Sequence, residues 1–107
     1  MTDPVPYFEK IKQKLADENL KKEFLNFNRD VLFDFTDIGK QYTLRFANGN
    51  VEIIAGKFVK PQVEITTTTE VIAGIIDKKT NPVVAYVSRK IKVKGEMQDL
   101  LKLQKLM

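Results

Sequence analysis

Apolar side chains recur every three or four residues at the start of the chain, every second residue from about position 31, and again at helical spacing from about position 70. The first interval predicts a helix with Tyr7 or Phe8, Ile11 and Leu15 on one face and Glu9, Lys10, Lys12 and Lys14 on the other. Asp3 is its expected cap, with Pro4 or Pro6 in the first turn. A second short helical stretch, ENLKKEFLNF, sets Leu20, Phe24 and Phe27 on one side, where they read as ordinary core.

The period then becomes two. Val31, Phe33 and Phe35 alternate with Leu32 and Asp34, and Tyr42, Leu44 and Phe46 alternate with Thr43 and Arg45, as half-buried strands do. Asn48-Gly49 is a tight-hairpin signal because both residues tolerate positive φ, so residues 51–55 return as a third strand. After a break from Gly56 to Pro61, QVEIT supplies a fourth, with Val63 and Ile65 inward. In TTTTEVIAGII the spacing of Thr67 and Glu70 is that of a capping box opening a helix. Ile72, Ile75 and Ile76 share one face of that helix, and Gly74 permits close packing. Asn81-Pro82 opens another helix through VVAYV. A fifth strand follows, in which Lys90, Lys92 and Lys94 alternate with Ile91 and Val93 before Gly95 ends it. These lysines also discourage edge pairing. The elements form an α+β layout in which the later helices cover one sheet face.

The last helix carries more apolar surface than one core requires. Met97, Leu100 and Leu101 define one direction, and Leu103, Leu106 and Met107 widen the arc to roughly 200° at about 100° per residue. Such a helix has two apolar neighbours. The second is another part of this chain, a second subunit or an apolar ligand, and periodicity alone favours the first.

Composition narrows the chemistry. At 107 residues, 43% hydrophobic and 30% charged, the chain is sized for one domain, residues 1–107. It has neither Cys nor His, which removes thiolate nucleophiles, disulfides, thiolate zinc sites and the usual acid–base residue near neutral pH. Ser88, the single serine, lies between Val87 and Arg89 and not in a nucleophile elbow. Glu64 and Glu70 read as strand-surface and cap residues. No metal cluster, phosphate loop or dinucleotide fingerprint is present, so no catalytic residue, metal or cofactor is expected. Apolar runs stay far below the ~20 residues that span a bilayer, and MTDPVPYFEK lacks the pattern of a signal peptide, which predicts a cytoplasmic protein. Charge is uneven: residues 78–107 hold eight Lys or Arg against Glu96 and Asp99, a local +6. A solvated lysine face explains this, and an anionic membrane surface or acidic partner is an alternative. A nucleic-acid or protein interaction module with a fully packed core is the competing reading. Its weakness is that the aromatics fall at inward positions and not beside the lysines, so nucleic acid is not the expected partner. The protein is expected to be a monomer, or a homodimer through its last helix.

The stretch KIKVKGEMQDLLKLQKL resembles the closing signature of the sterol carrier protein 2 family, an alternating basic strand ending in glycine and leading into a Met- and Leu-rich helix. Lys90, Ile91, Lys92, Gly95, Met97, Lys102, Leu103, Gln104 and Leu106 carry that likeness. Asn81-Pro82 with Ala85 and Tyr86, VEITTTTEVIAGII, QYTLRFANGN and YFEKIKQKL are similar to further family segments in the same order. Arg89 and Lys78 stand where the family often has glycine, which predicts altered backbone geometry there; Gln98 and Asp99 replace a small and an apolar residue. The resemblance implies a five-stranded, mainly antiparallel sheet covered by helices and enclosing an apolar tunnel. It also implies non-catalytic carriage of fatty acid, fatty acyl-CoA, sterol or other lipid such as an isoprenoid. On that expectation Ile72, Ile75, Ile76, Tyr86, Ile91, Val93, Met97, Leu100, Leu101 and Leu103 form the cavity wall. Arg89, Lys90, Lys92 and Lys94 are then candidate contacts for anionic lipid heads or a coenzyme A phosphate.

Overall fold

The computed structural model describes residues 3–57 and 60–107. Two helices come first, α1 (Val5–Lys14) and α2 (Glu18–Glu23), followed by strands β1 (Arg29–Phe35), β2 (Lys40–Ala47), β3 (Asn50–Ala55) and β4 (Val63–Thr67). Helices α3 (Thr69–Ile76) and α4 (Pro82–Val87), strand β5 (Lys92–Lys94) and helix α5 (Met97–Gln104) complete the chain. Phe58 and Val59, inside the expected break between Gly56 and Pro61, lie outside the described residues.

The five strands form one sheet in the order β3-β2-β1-β4-β5, with β1 and β4 parallel and every other neighbouring pair antiparallel. Register places Ala55, Tyr42, Phe33, Ile65 and Val93 in a single row across all five strands. Side chains of one row share a face, so this row is apolar from edge to edge. At its centre Phe8 of α1 packs 5.0 Å from Phe33 and 5.7 Å from Tyr42, ring centroid to centroid. Phe24, Phe27 and Phe46 form a second aromatic group at 5.3–6.0 Å. Such contacts add about 0.5–1.5 kcal/mol per pair beyond burial.

The other sheet face is not uniformly wet. Leu32 and Thr43, expected outward, pair across β1 and β2 and are both buried. Thr43 Oγ1 donates to the Gly56 carbonyl at 2.7 Å, which holds the end of β3 over this part of the face.

Helix ends follow their local chemistry, with shifts from expectation. The Asn48-Gly49 hairpin has φ of 55° and 77°, the left-handed pair that the turn requires. Asp17 caps α2 by accepting from the Asn19 and Leu20 amides, and Asn81 caps α4 through Val83 and Val84. The expected capping box at Thr67 and Glu70 is displaced: Thr67 still belongs to β4, and its buried hydroxyl donates to the Lys90 carbonyl at 2.8 Å. Thr68 is the cap, accepting from the Val71 amide. At α1 the cap position is Pro4, while Asp3 accepts from the Val5 amide at 3.0 Å.

Lys78 and Arg89 take φ of 62° and 63°, the region a glycine occupies without strain. The residue type changes and the left-handed backbone is nevertheless formed. Beyond α3, the Lys78 amide donates to Ile75 and that of Lys79 to Gly74; beyond α4, the Arg89 amide donates to Tyr86 and that of Lys90 to Ala85. Both are Schellman endings, whose paired bonds impose positive φ on the residue after the cap.

Candidate functional site

Beyond the aromatic core, the apolar row continues into open space. Ile65 of β4 and Val93 of β5 form the floor of a groove of about 300 Å³. Pro82, Val83 and Tyr86 of α4 make one wall, and Met97, Leu100, Leu101, Leu103 and Gln104 of α5 make the other, with Ile91 and Met107 also lining it. Gln104 is the one amide among them, and no charged side chain takes part. Met97 and Leu101 are 59% and 57% exposed, so the groove opens to solvent and is not a sealed tunnel.

The wide apolar arc of α5 is divided between two neighbours. Leu106 turns into the core and the buried Leu103 meets both core and groove, whereas Met97, Leu100, Leu101 and Gln104 follow the i, i+3, i+4, i+7 spacing of a single face along the groove. Asp99 in the first turn does not interrupt that face. It is buried on another side of the helix, where it accepts from Arg29 Nε at 3.1 Å and ties α5 to β1. Lys14 Nζ donates to the Leu106 carbonyl at 3.0 Å, and Lys105 pairs with Glu23 at 3.2 Å. Burial, with a smaller contribution from Lys78, holds the Lys14 ammonium below its ordinary pKa. Polar contacts therefore fix the back of α5 and leave its groove face wholly apolar apart from Gln104.

Of the cavity residues expected from sequence, the structure brings Tyr86, Ile91, Val93, Met97, Leu100, Leu101 and Leu103 together on the groove. Ile72, Ile75 and Ile76 are elsewhere, on the buried side of α3. Ile72 and Ile76 join Phe8 and Ile11 in the core because α3 packs against α1. Ile65, Pro82, Val83, Gln104 and Met107 were not among the expected wall residues. Ile65 was legible from its inward alternation, and Met107 from its place on the apolar arc.

The four expected head-group residues are exposed, and none lines the groove. Lys92 and Lys94 sit opposite Thr66 and Glu64 in the β4–β5 ladder, so they point to the sheet face away from Val93. Arg89 and Lys90 follow the Ser88 cap of α4 and precede Ile91, which lines the groove. Ser88 Oγ donates to the Val84 carbonyl at 2.6 Å, a bond within the end of its own helix. Among the described residues no group of three His, Cys, Asp or Glu side chains could hold a metal ion, and no helix is long and apolar enough to cross a membrane. A second depression, about 430 Å³, is edged by Lys12, Lys21, Asn50 and Glu52 and lacks an apolar wall of comparable extent.

A mixed five-stranded sheet with helices over one face and an apolar groove at its β4–β5 end defines an α+β domain with an open hydrophobic groove. The sequence pattern of the SCP-2 sterol transfer family fits residues 8–107, and the chain belongs to that family. No curated protein sequence matches the chain. Among solved structures it is similar to the sterol carrier protein domain 2 of Helicoverpa armigera, with 23% identity, a TM-score of 0.77, and coverage of 94% of this chain and 82% of that one. It is similar also to palmitated SCP2L2 from Aedes aegypti, with 23% identity, a TM-score of 0.71, and coverage of 94% and 89%. The stereoselective inverting sec-alkylsulfatase Pisa1 from Pseudomonas sp. contains a comparable fold, with 18% identity and a TM-score of 0.73 over 81% of this chain. There the chain spans only 14% of the other's length.

Proposed function

We propose that the protein is a non-catalytic lipid carrier that holds the apolar portion of a fatty acid, fatty acyl-CoA, sterol or isoprenoid-like lipid in the groove between α4 and α5. The observation that carries this reading is the composition of the groove: a wall of aliphatic side chains, two methionines, one tyrosine and a single amide, with no ionised group. Each methylene moved from water into such a wall contributes ~0.8 kcal/mol, so ten of them supply about 8 kcal/mol, the scale of micromolar binding before the cost of association. With Gln104 as the lone amide, selection rests on length and shape. Flexible Met97 and Met107 suit varied cargo. Palmitate on the Aedes aegypti relative supports an acyl chain as one such cargo. The exposed Arg89 and Lys90 precede the groove residue Ile91 in the chain, which supports them as contacts for a carboxylate or phosphate head.

Native mass spectrometry of freshly purified protein, followed by organic extraction, tests the reading. Stoichiometric acyl or isoprenoid lipid is the expected result. A bare chain that also fails to bind a fluorescent fatty acid would overturn it.

A further inference from the structure

The groove uses only part of α4. Val84 and Val87 are 61% and 73% exposed and line neither the groove nor the second depression, and of the helix's six residues only Ala85 is buried. Together with the exposed Val83 and Tyr86 on the groove side, they make an apolar ridge on a helix with a single fully buried side chain. Ridges of this kind on a protein surface mark contact with another apolar phase.

The surrounding charge indicates which phase. From Lys78 to Gly95 the chain carries Lys78, Lys79, Arg89, Lys90, Lys92 and Lys94 and no acidic residue. Among the described residues none of these six forms an ion pair, whereas Lys10, Arg29, Arg45, Lys57 and Lys105 each do. Lys79 precedes the Asn81 cap and Arg89 and Lys90 follow the last turn, so cations stand at both ends of the ridge.

We propose that α4 docks on an anionic lipid bilayer, with Val84 and Val87 inserted among the acyl chains and Lys79, Arg89 and Lys90 on the headgroups. A short apolar helix edged by cations is suited to the bilayer interface. A second copy of this chain would bring the same cations against each other. The purpose of docking rests on the carrier reading: the groove wall formed by Val83 and Tyr86 is the neighbouring face of the same helix, so a lipid leaving the bilayer beside α4 reaches the groove without crossing water.

The test is flotation of the full chain with vesicles of phosphatidylcholine containing phosphatidylglycerol, against pure phosphatidylcholine, at low and high salt. Binding to the anionic vesicles that weakens with salt is expected. Val84→Asp combined with Val87→Ser should lower it about tenfold or more, and Lys79→Gln about fivefold. Aspartate at position 84 falls in the first turn of α4, where a negative charge suits the helix, so the variant should fold, and circular dichroism checks that it does. Its affinity for a fluorescent fatty acid in vesicle-free solution should equal that of the parent. Equal binding to both vesicle types, no binding, or binding insensitive to the valine substitutions would overturn the proposal, as would a dimer that those substitutions dissolve. Intact vesicle binding with an empty groove would overturn the carrier reading and leave the docking surface standing.

Discussion

Leu101 and Ile75 are both aliphatic residues of late helices, yet their surroundings assign them opposite tasks. Leu101 borders the groove and is mostly exposed, whereas Ile75 is buried under α3. Leu101→Asp should therefore leave the melting temperature nearly unchanged, as exposed substitutions do within about 0.5 kcal/mol. It should weaken fluorescent fatty-acid binding about tenfold or more by setting a carboxylate against the cargo. Ile75→Ala should do the reverse, costing about 2–5 kcal/mol in denaturant unfolding while retaining affinity under conditions where the protein is folded. Binding isotherms and urea curves on both variants check the pair. An aliphatic face at helical spacing looks the same in sequence whether it meets a core or a cavity, which is why Ile72, Ile75 and Ile76 were expected beside the groove. Met97 and Leu101 were legible because α5 has apolar residues beyond what one buried face can hold, and Tyr86 because its segment resembles the family's. Ile65 needed the strand register, which sets it beside Val93 only once β4 and β5 are paired.

At the scale of elements, helix endings carry a cost that single residues can relieve. Lys78 and Arg89 occupy left-handed positions imposed by the Schellman bonds closing α3 and α4. A side chain in that region costs roughly 1–2 kcal/mol relative to glycine, partly offset by the freedom glycine adds to the unfolded chain. Lys78→Gly and Arg89→Gly should each stabilise the fold by about 1 kcal/mol. Calorimetry should show a rise of about 4–8 °C for each. Gly74 illustrates the converse: a Cβ there would lie 2.5 Å from Thr80 Oγ1, so Gly74→Ala should be destabilising although alanine favours helices. The hairpin at Asn48-Gly49 and the start of α4 at Asn81-Pro82 were readable in the sequence because each depends on two adjacent residues. The cap of α3 was displaced by one position because three further threonines compete for it, and only the extent of β4 decides between Thr67 and Thr68.

For the whole molecule, two carboxylates connect separate elements and should make stability acid-sensitive. Burial opposes ionisation of Asp37, but hydrogen bonds from the Thr69 hydroxyl and amide outweigh it and hold the carboxyl below its ordinary range. Asp77, at the end of α3, is held below that range by its hydrogen bond to Lys10 of α1 at 2.9 Å, against a smaller opposing effect of burial. A carboxyl whose folded pKa is depressed contributes stability in full above its unfolded value, near 3.9, and loses it as pH falls through the folded pKa. Urea midpoints should therefore fall as pH drops below about 4. Asp77→Asn and Asp37→Asn should lower the midpoint at neutral pH and flatten its acid dependence, so that variant and parent converge in acid. The α+β order and five strands could be read from the change of period along the chain. The separation of core from groove could not, because it depends on which end of the sheet each helix covers.

That separation reaches past the single molecule. The aromatic residues that hold the fold lie over β1 and β2, and the side chains facing the groove lie over β4 and β5, joined by a shared row of the sheet. A lineage can therefore exchange the exposed Met97 or Leu101 for other apolar residues at little risk to folding, and its descendants can reshape the groove by small, separately tolerated steps.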